Sequence, residues 1–135
     1  MQIDKSFNFQ DKEGQIYQTW EDLKCFSPND TKETFTIIMP PPNATGQLHL
    51  GHAIMLSIQD TMIRFKRMQG FSTLYVPGTD HAALATSSKV EAIYLEKEGK
   101  NRYDYGREKF LGLVDDYVAQ SQNTIIKQTK VMGTS

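Results

Sequence analysis

The stretch TFTIIMPPPNATGQLHLGHA, Thr34 to Ala53, decides the fold. Its first six residues, Thr34 to Met39, form a near-continuous β-branched and apolar run, which reads as a strand buried on both faces. The run stops at Pro40. From Leu50 a helical pattern begins: Ile54, Ile58, Met62 and Phe65 recur three and four apart, and Ala53, Met55, Leu56 and Ile63 widen the stripe. That helix reaches about Met68, with Gly70 as its stop. FSTLYV, Phe71 to Val76, is a second strand-like run, cut short by Pro77-Gly78. Strand, helix and strand in that order make a βαβ unit with parallel neighbouring strands and a right-handed crossover.

Outward from this unit, Gly14 to Lys24 places Ile16, Trp20 and Leu23 at helical spacing, and SPND, Ser27 to Asp30, breaks that pattern. Residues 1–32 are therefore expected to form a lead-in with a short helix, and residues 33–135 the nucleotide-fold half. A helix is expected over Ala82 to Lys97, with Leu84, Val90, Ile93 and Tyr94 among its apolar positions. NRYDYG reads as a break. A further helix, capped by Asp104, carries Phe110, Val114, Tyr117, Val118, Ile125 and Val131 to a stop at Gly133. The expected class is α/β: the first half of a Rossmann-type doubly wound parallel sheet, incomplete because parallel sheets normally have several strands and both faces covered.

Composition narrows the function classes. The chain has 135 residues with 15 Lys and Arg against 16 Asp and Glu, a formal charge of -1, so no global field draws it to nucleic acid or an acidic membrane. The single Cys25 forms no internal disulfide and reads as a half-buried small hydrophobe, which suits a reducing cytoplasm. No apolar run approaches the length of a membrane span, and Met1 to Gln10, with Ile3, Phe7 and Phe9 among polar residues, lacks the apolar block of a signal peptide. A cytoplasmic protein is expected.

Two loops carry the chemistry. In open α/β sheets ligands collect beyond the carboxyl ends of the strands, where Pro40 to His52 and Pro77 to His81 both fall. Pro40, Pro41 and Pro42 fix φ and have no N–H, so they hold the chain extended and leave carbonyls free; a plain rigid connector is the alternative. Gly46 permits the turn, and Gly51 leaves space for another group to approach the backbone. His49 and His52, three apart, share the first turn of a helix, where the dipole and free N–H groups favour an anion. Two imidazoles there can donate to phosphate oxygens and stabilise a phosphorus transition state. A metal pair is one alternative, although the common two-histidine metal helix uses i, i+4 spacing with a glutamate that does not follow here, and two satisfied structural histidines are a second. Asp80 stands either to pair with a substrate ammonium or to cap the helix that follows, and His81 either adds a donor or is simply a helix-terminus residue.

HLGH at 49–52 resembles the HIGH signature of class I aminoacyl-tRNA synthetases, with Leu50 in place of Ile. PPPNATGQLHLGHA, DTMIRFKRMQGFSTLYVPGTDHAALAT (Asp60 to Thr86) and EGKNRYDYGREKFL (Glu98 to Leu111) together look like the valyl-tRNA synthetase family over nearly the whole chain. The resemblance implies a HIGH-signature nucleotidyl transferase fold that condenses valine with ATP and passes the acyl group to tRNA(Val). On it, His49 and His52 hold ATP phosphates and steady the transition state, Thr45 contacts phosphate, and Gly51 lets the adenosine lie close. Asp80 takes the valine amino group, while Pro40, Pro41, Pro42 and Asn43 wall the amino-acid pocket. Mg²⁺ accompanies ATP. The family's KMSKS loop, editing domain and anticodon-binding helices have no counterpart in this sequence, and Ala83 stands where relatives usually have glycine. An incomplete, nearly inactive piece is therefore expected, with a stand-alone H-x-G-H nucleotidyl transferase or a non-catalytic synthetase-like fragment as the alternatives.

Overall fold

Three prolines in succession cannot donate to a ladder, so the first strand ends where they begin. The computed structural model describes residues 8–29 and 33–135. In chain order it contains α1 (Gln10–Asp22), β1 (Thr34–Ile38), α2 (Leu50–Met68), β2 (Ser72–Val76), α3 (Ala83–Glu98), α4 (Arg102–Tyr105) and α5 (Arg107–Val131). Ile3 and Phe7 of the polar lead-in, and Asp30 of the SPND break, lie outside the described residues.

β1 and β2 pair in parallel, Thr34 opposite Ser72 through Ile38 opposite Val76, with α2 as the crossover. The expected βαβ unit is therefore present. The lateral pairing runs on past the strands: Met39 N–H donates to Val76 O (2.9 Å), Asp80 N–H to Pro42 O (2.9 Å) and Ala44 N–H to Asp80 O (2.7 Å). Proline carbonyls thus serve as acceptors where proline nitrogens cannot donate.

Burial on both faces of β1 is not found. Phe35 and Ile37 are half-buried beneath α2, whereas Thr34, Thr36 and Ile38 are exposed, Ile38 by 74%. Among the described elements one strand lies beside β1 and one helix layer covers it, so alternate side chains have nothing to pack on. α2 has the expected bounds but turns differently. Leu56 and Ile63 are buried against Met39 and Tyr75, with Phe35, Ile37, Leu48 and Met55 around them. Ile54, Ile58, Met62 and Phe65, expected in the core, are each about half exposed. This helix is apolar on two sides, and periodicity alone does not say which side meets the sheet.

A second core joins α3, α5 and the first loop: Ala44, Val90, Phe110, Val114 and Val118 are buried together, flanked by Tyr94, Tyr105, Leu113 and Tyr117. Leu84 and Val131, both expected to be apolar contacts, are exposed, because each lies at a helix end beyond this core. NRYDYG is not a plain break but the single turn α4. Asn101 caps it, its Oδ1 accepting from Tyr103 N–H (2.8 Å), and Asp104 Oδ2 accepts in return from Asn101 N–H (2.8 Å). Asp104 is thereby used on α4 and does not cap α5, which begins after Gly106 at φ +75° with no side-chain cap. Glu91 anchors the same turn, taking Arg102 Nε (2.9 Å), and Arg102 in turn holds its carboxyl below the ordinary carboxylate value.

α1 starts and ends slightly earlier than expected and buries no residue fully; Ile16 and Leu23 are exposed. It is attached by Tyr17 Oη donating to Thr134 O (2.9 Å), by Lys130 on Glu21 (2.7 Å), and by a cluster of Tyr17, Trp20 and Phe26 under Arg64 and Arg67. Cys25, on the segment after α1, is exposed rather than half-buried, since no helix layer covers that turn. Among the described residues no helix is long and apolar enough to cross a membrane.

Candidate functional site

The two loops beyond the strand ends lie side by side. Asn43 and Asp80 form an isolated parallel bridge, and a Cβ added to Gly78 would lie 3.8 Å from Pro41 Cβ. Pro42 and Ala44 are buried beneath this seam, while Pro40, Pro41 and Asn43 remain exposed along it. The proline segment is therefore anchored at its far end and open at its near end.

At the head of α2 the two imidazoles cap each other. His49 is the N-cap residue, in extended backbone at φ -116° and ψ 174°, and its Nδ1 accepts from Gly51 N–H (3.1 Å). His52 Nδ1 accepts from His49 N–H (3.2 Å), and the ring centroids are 3.9 Å apart. This is a capping box with imidazoles in place of a hydroxyl and a carboxylate. A ring nitrogen that accepts carries no proton, so each neutral ring holds its hydrogen on Nε2. Both rings then present an Nε2–H donor at a helix N-terminus whose dipole favours an anion. Burial first, and the adjacent His49 second, hold His52 below the ordinary imidazole value, which keeps it neutral at pH 7.

Gly51 has a role that spacing did not show. A Cβ built there would lie 2.9 Å from His49 Cε1 and 3.1 Å from Nδ1, so the group that approaches this glycine closely is the His49 ring itself. In the second loop, Asp80 Oδ1 accepts from Ala82 N–H (3.1 Å). Its other oxygen has no hydrogen-bond partner among the described residues, and the side chain is exposed. Capping and binding are thus compatible here: one oxygen orients the group and the other is free. Ala82 sits in the left-handed region at φ +47° to start α3, and exposed His81 offers its carbonyl to Thr86 Oγ1 (2.6 Å).

Sequence reasoning missed the residues that hold these loops. From α5, Tyr117 Oη donates to Thr45 O (2.8 Å), Gln128 Oε1 accepts from Leu48 N–H (2.8 Å), and Gln122 Nε2 donates to Thr79 Oγ1 (2.9 Å). The available signal was two glutamines falling beside Val118, Ser121 and Ile125 on the buried face of an amphipathic helix. A cavity of about 690 Å³ lies elsewhere, between α1 and the end of α5, and none of the loop residues lines it.

A parallel βαβ unit with a histidine-capped crossover helix and paired loops at its carboxyl edge defines the class as a Rossmann-type α/β domain. The model of class I tRNA synthetases (I, L, M and V) matches residues 15–135, and the chain belongs to that family. It is 48% identical over 138 aligned residues to a valine–tRNA ligase of Treponema denticola, an alignment that takes in 100% of this chain and 15% of that protein. In structure it resembles the LeuRS of Agrobacterium radiobacter, solved as a ternary complex with tRNA and LeuAMS. The TM-score is 0.74 at 18% identity, covering 96% of this chain and 15% of that one, and shows the shared Rossmann-type fold.

Proposed function

We propose that this chain carries the ATP- and valine-facing half-site of a valine–tRNA ligase, with residues 33–135 forming the half-site and residues 1–32 a lead-in. The reciprocal histidine cap is the observation that carries this reading, because it fixes two outward Nε2–H donors at a helix N-terminus beside a loop bonded to Asp80. In the reaction, a valine carboxylate oxygen attacks the α-phosphorus of ATP and pyrophosphate leaves; a hydroxyl of the terminal adenosine of tRNA(Val) then takes the acyl group of valyl-adenylate, and AMP leaves.

His49 and His52 donate to phosphate oxygens. Such donors, set before reaction, favour the charge that builds on phosphorus by about 3 kcal/mol each when well placed. Thr45 contacts phosphate, and Gly51, which also admits the His49 ring, lets the adenosine lie close. The free oxygen of Asp80 receives the valine ammonium, and Pro40, Pro41, Pro42 and Asn43 wall the pocket with rigid backbone and bare carbonyls. Mg²⁺ arrives as part of the MgATP substrate and offsets phosphate charge that neutral imidazoles leave unmatched.

The test is titration of the chain with MgATP and valine, read through the nitrogen resonances of its histidines. Binding that moves both Nε2 signals and disappears in His52→Ala supports the half-site. MgATP binding unchanged in that variant overturns it.

A further inference from the structure

The first loop is fastened to α5 at two points. Thr45 O takes the Tyr117 hydroxyl and Leu48 N–H gives to Gln128 Oε1, so the chain is held four residues and one residue before His49. Tyr117 and Gln128 are 11 positions apart, about 16 Å along a helix axis at 1.5 Å per residue. Thr45 to Leu48 spans at most about 11 Å when fully extended, and the two side chains must supply the rest. The loop therefore runs along α5 between two fixed points. Gly46 holds φ +139°, a backbone conformation that side-chain-bearing residues rarely adopt, and a Cβ there would only reach ordinary contact with the Tyr117 hydroxyl, at 3.8 Å. α5 is itself fixed by buried Phe110, Val114, Val118, Ser121 and Ile125.

We infer that Tyr117 and Gln128 are positioning residues for the imidazole pair: by holding the loop at these two points they set where α2 begins and so keep His49 and His52 in their mutual cap. Without the Gln128 oxygen, Leu48 N–H loses its partner, His49 leaves its extended N-cap geometry, and both Nδ1 atoms lose the donors that exclude a proton from them. Each ring then exchanges between its two neutral forms, and the outward donors are no longer constant. The structural statement stands on the hydrogen bonds; only its consequence for ATP rests on the function proposed above.

Histidine-selective nitrogen NMR of the full chain above pH 7.5 reads this directly. His49 and His52 should each show one acceptor-type Nδ1 and one protonated Nε2. Gln128→Met, of similar length but with no acceptor, should average the two nitrogens of each ring, and Gln128→Glu, which keeps an oxygen there, should restore them. Tyr117→Phe removes only a hydroxyl and should cause the same averaging; it decides the matter if Gln128→Met does not fold. Affinity for MgATP should fall roughly tenfold with the averaging, the effect of one hydrogen bond to a charged group. Fixed tautomers retained in both Gln128→Met and Tyr117→Phe overturn the inference. If no form binds MgATP yet the averaging and its rescue occur, the clamp stands and the proposed function falls.

Discussion

Replacing Gly51 by alanine should separate the site from the stability of the helix. The new methyl would stand 2.9 Å from His49 Cε1 and 3.1 Å from Nδ1, well inside contact distance, so the ring must swing away and give up the bond from Gly51 N–H. Loss of an N-cap side chain costs about 1 kcal/mol. Alanine in place of glycine returns up to about 0.8–1 kcal/mol of helix propensity, somewhat less in a first turn. These terms nearly cancel, so the unfolding free energy from urea denaturation should stay within about 0.5 kcal/mol of the parent. The displaced ring, however, no longer presents its Nε2–H. A hydrogen bond to a charged group contributes about 1.5–3 kcal/mol, so the Kd for MgATP should rise roughly tenfold to a hundredfold. Calorimetric or NMR titration beside a urea curve measures both quantities on one sample. MgATP affinity equal to the parent's would refute the assigned role of the ring, and a loss of several kcal/mol in stability would refute the cancellation.

Ala82→Gly should stabilise the fold by about 0.5–1 kcal/mol, because left-handed backbone costs an L-residue about 1–2 kcal/mol and glycine's extra chain entropy returns only part of that; a lower urea midpoint would contradict it. His52 titrates below its ordinary 6.5 in the folded state, so the unfolded chain takes up its proton first, and stability should fall as pH drops from about 6.5 to the folded value and then level off. The difference between parent and His52→Gln isolates that slope, and a difference that is flat with pH over pH 7.5–5 counts against it. Leu56→Ala, at a position only 1% exposed, should cost 2–5 kcal/mol by urea denaturation, whereas Ile58→Ala, 59% exposed, should cost far less; equal losses would mean that the two faces of α2 are assigned the wrong way round.

The span of α2 was legible because prolines and a histidine pair precede it and Gly70 follows it. Its orientation was not, because Leu56 and Ile63 lie among as many apolar residues on the opposite side. The meeting of the two loops followed from parallel pairing alone, since strand ends that are neighbours carry neighbouring loops. Asp104 was misassigned because a short acidic side chain caps whichever turn lies within reach, and Asn101 three residues earlier was the nearer partner. The contributions of Tyr117, Gln122 and Gln128 depend on contacts 43 to 80 residues away in sequence, which no local pattern encodes. For Asp80, position left capping and binding equally open, and the geometry allots one oxygen to the first and leaves the other for the second.

Pro40, Pro41 and Pro42 place three consecutive residues without an amide hydrogen in the middle of the site. Isotope exchange and amide-detected spectroscopy are therefore blind to this proline run. The nearest observers are Met39, Ala44 and Asp80, whose amides are bonded across the seam to Val76, Asp80 and Pro42. If the two loops part, Ala44 and Asp80 should exchange together while Met39, held by the end of the ladder, lags behind, so three protons can time an opening that the prolines conceal.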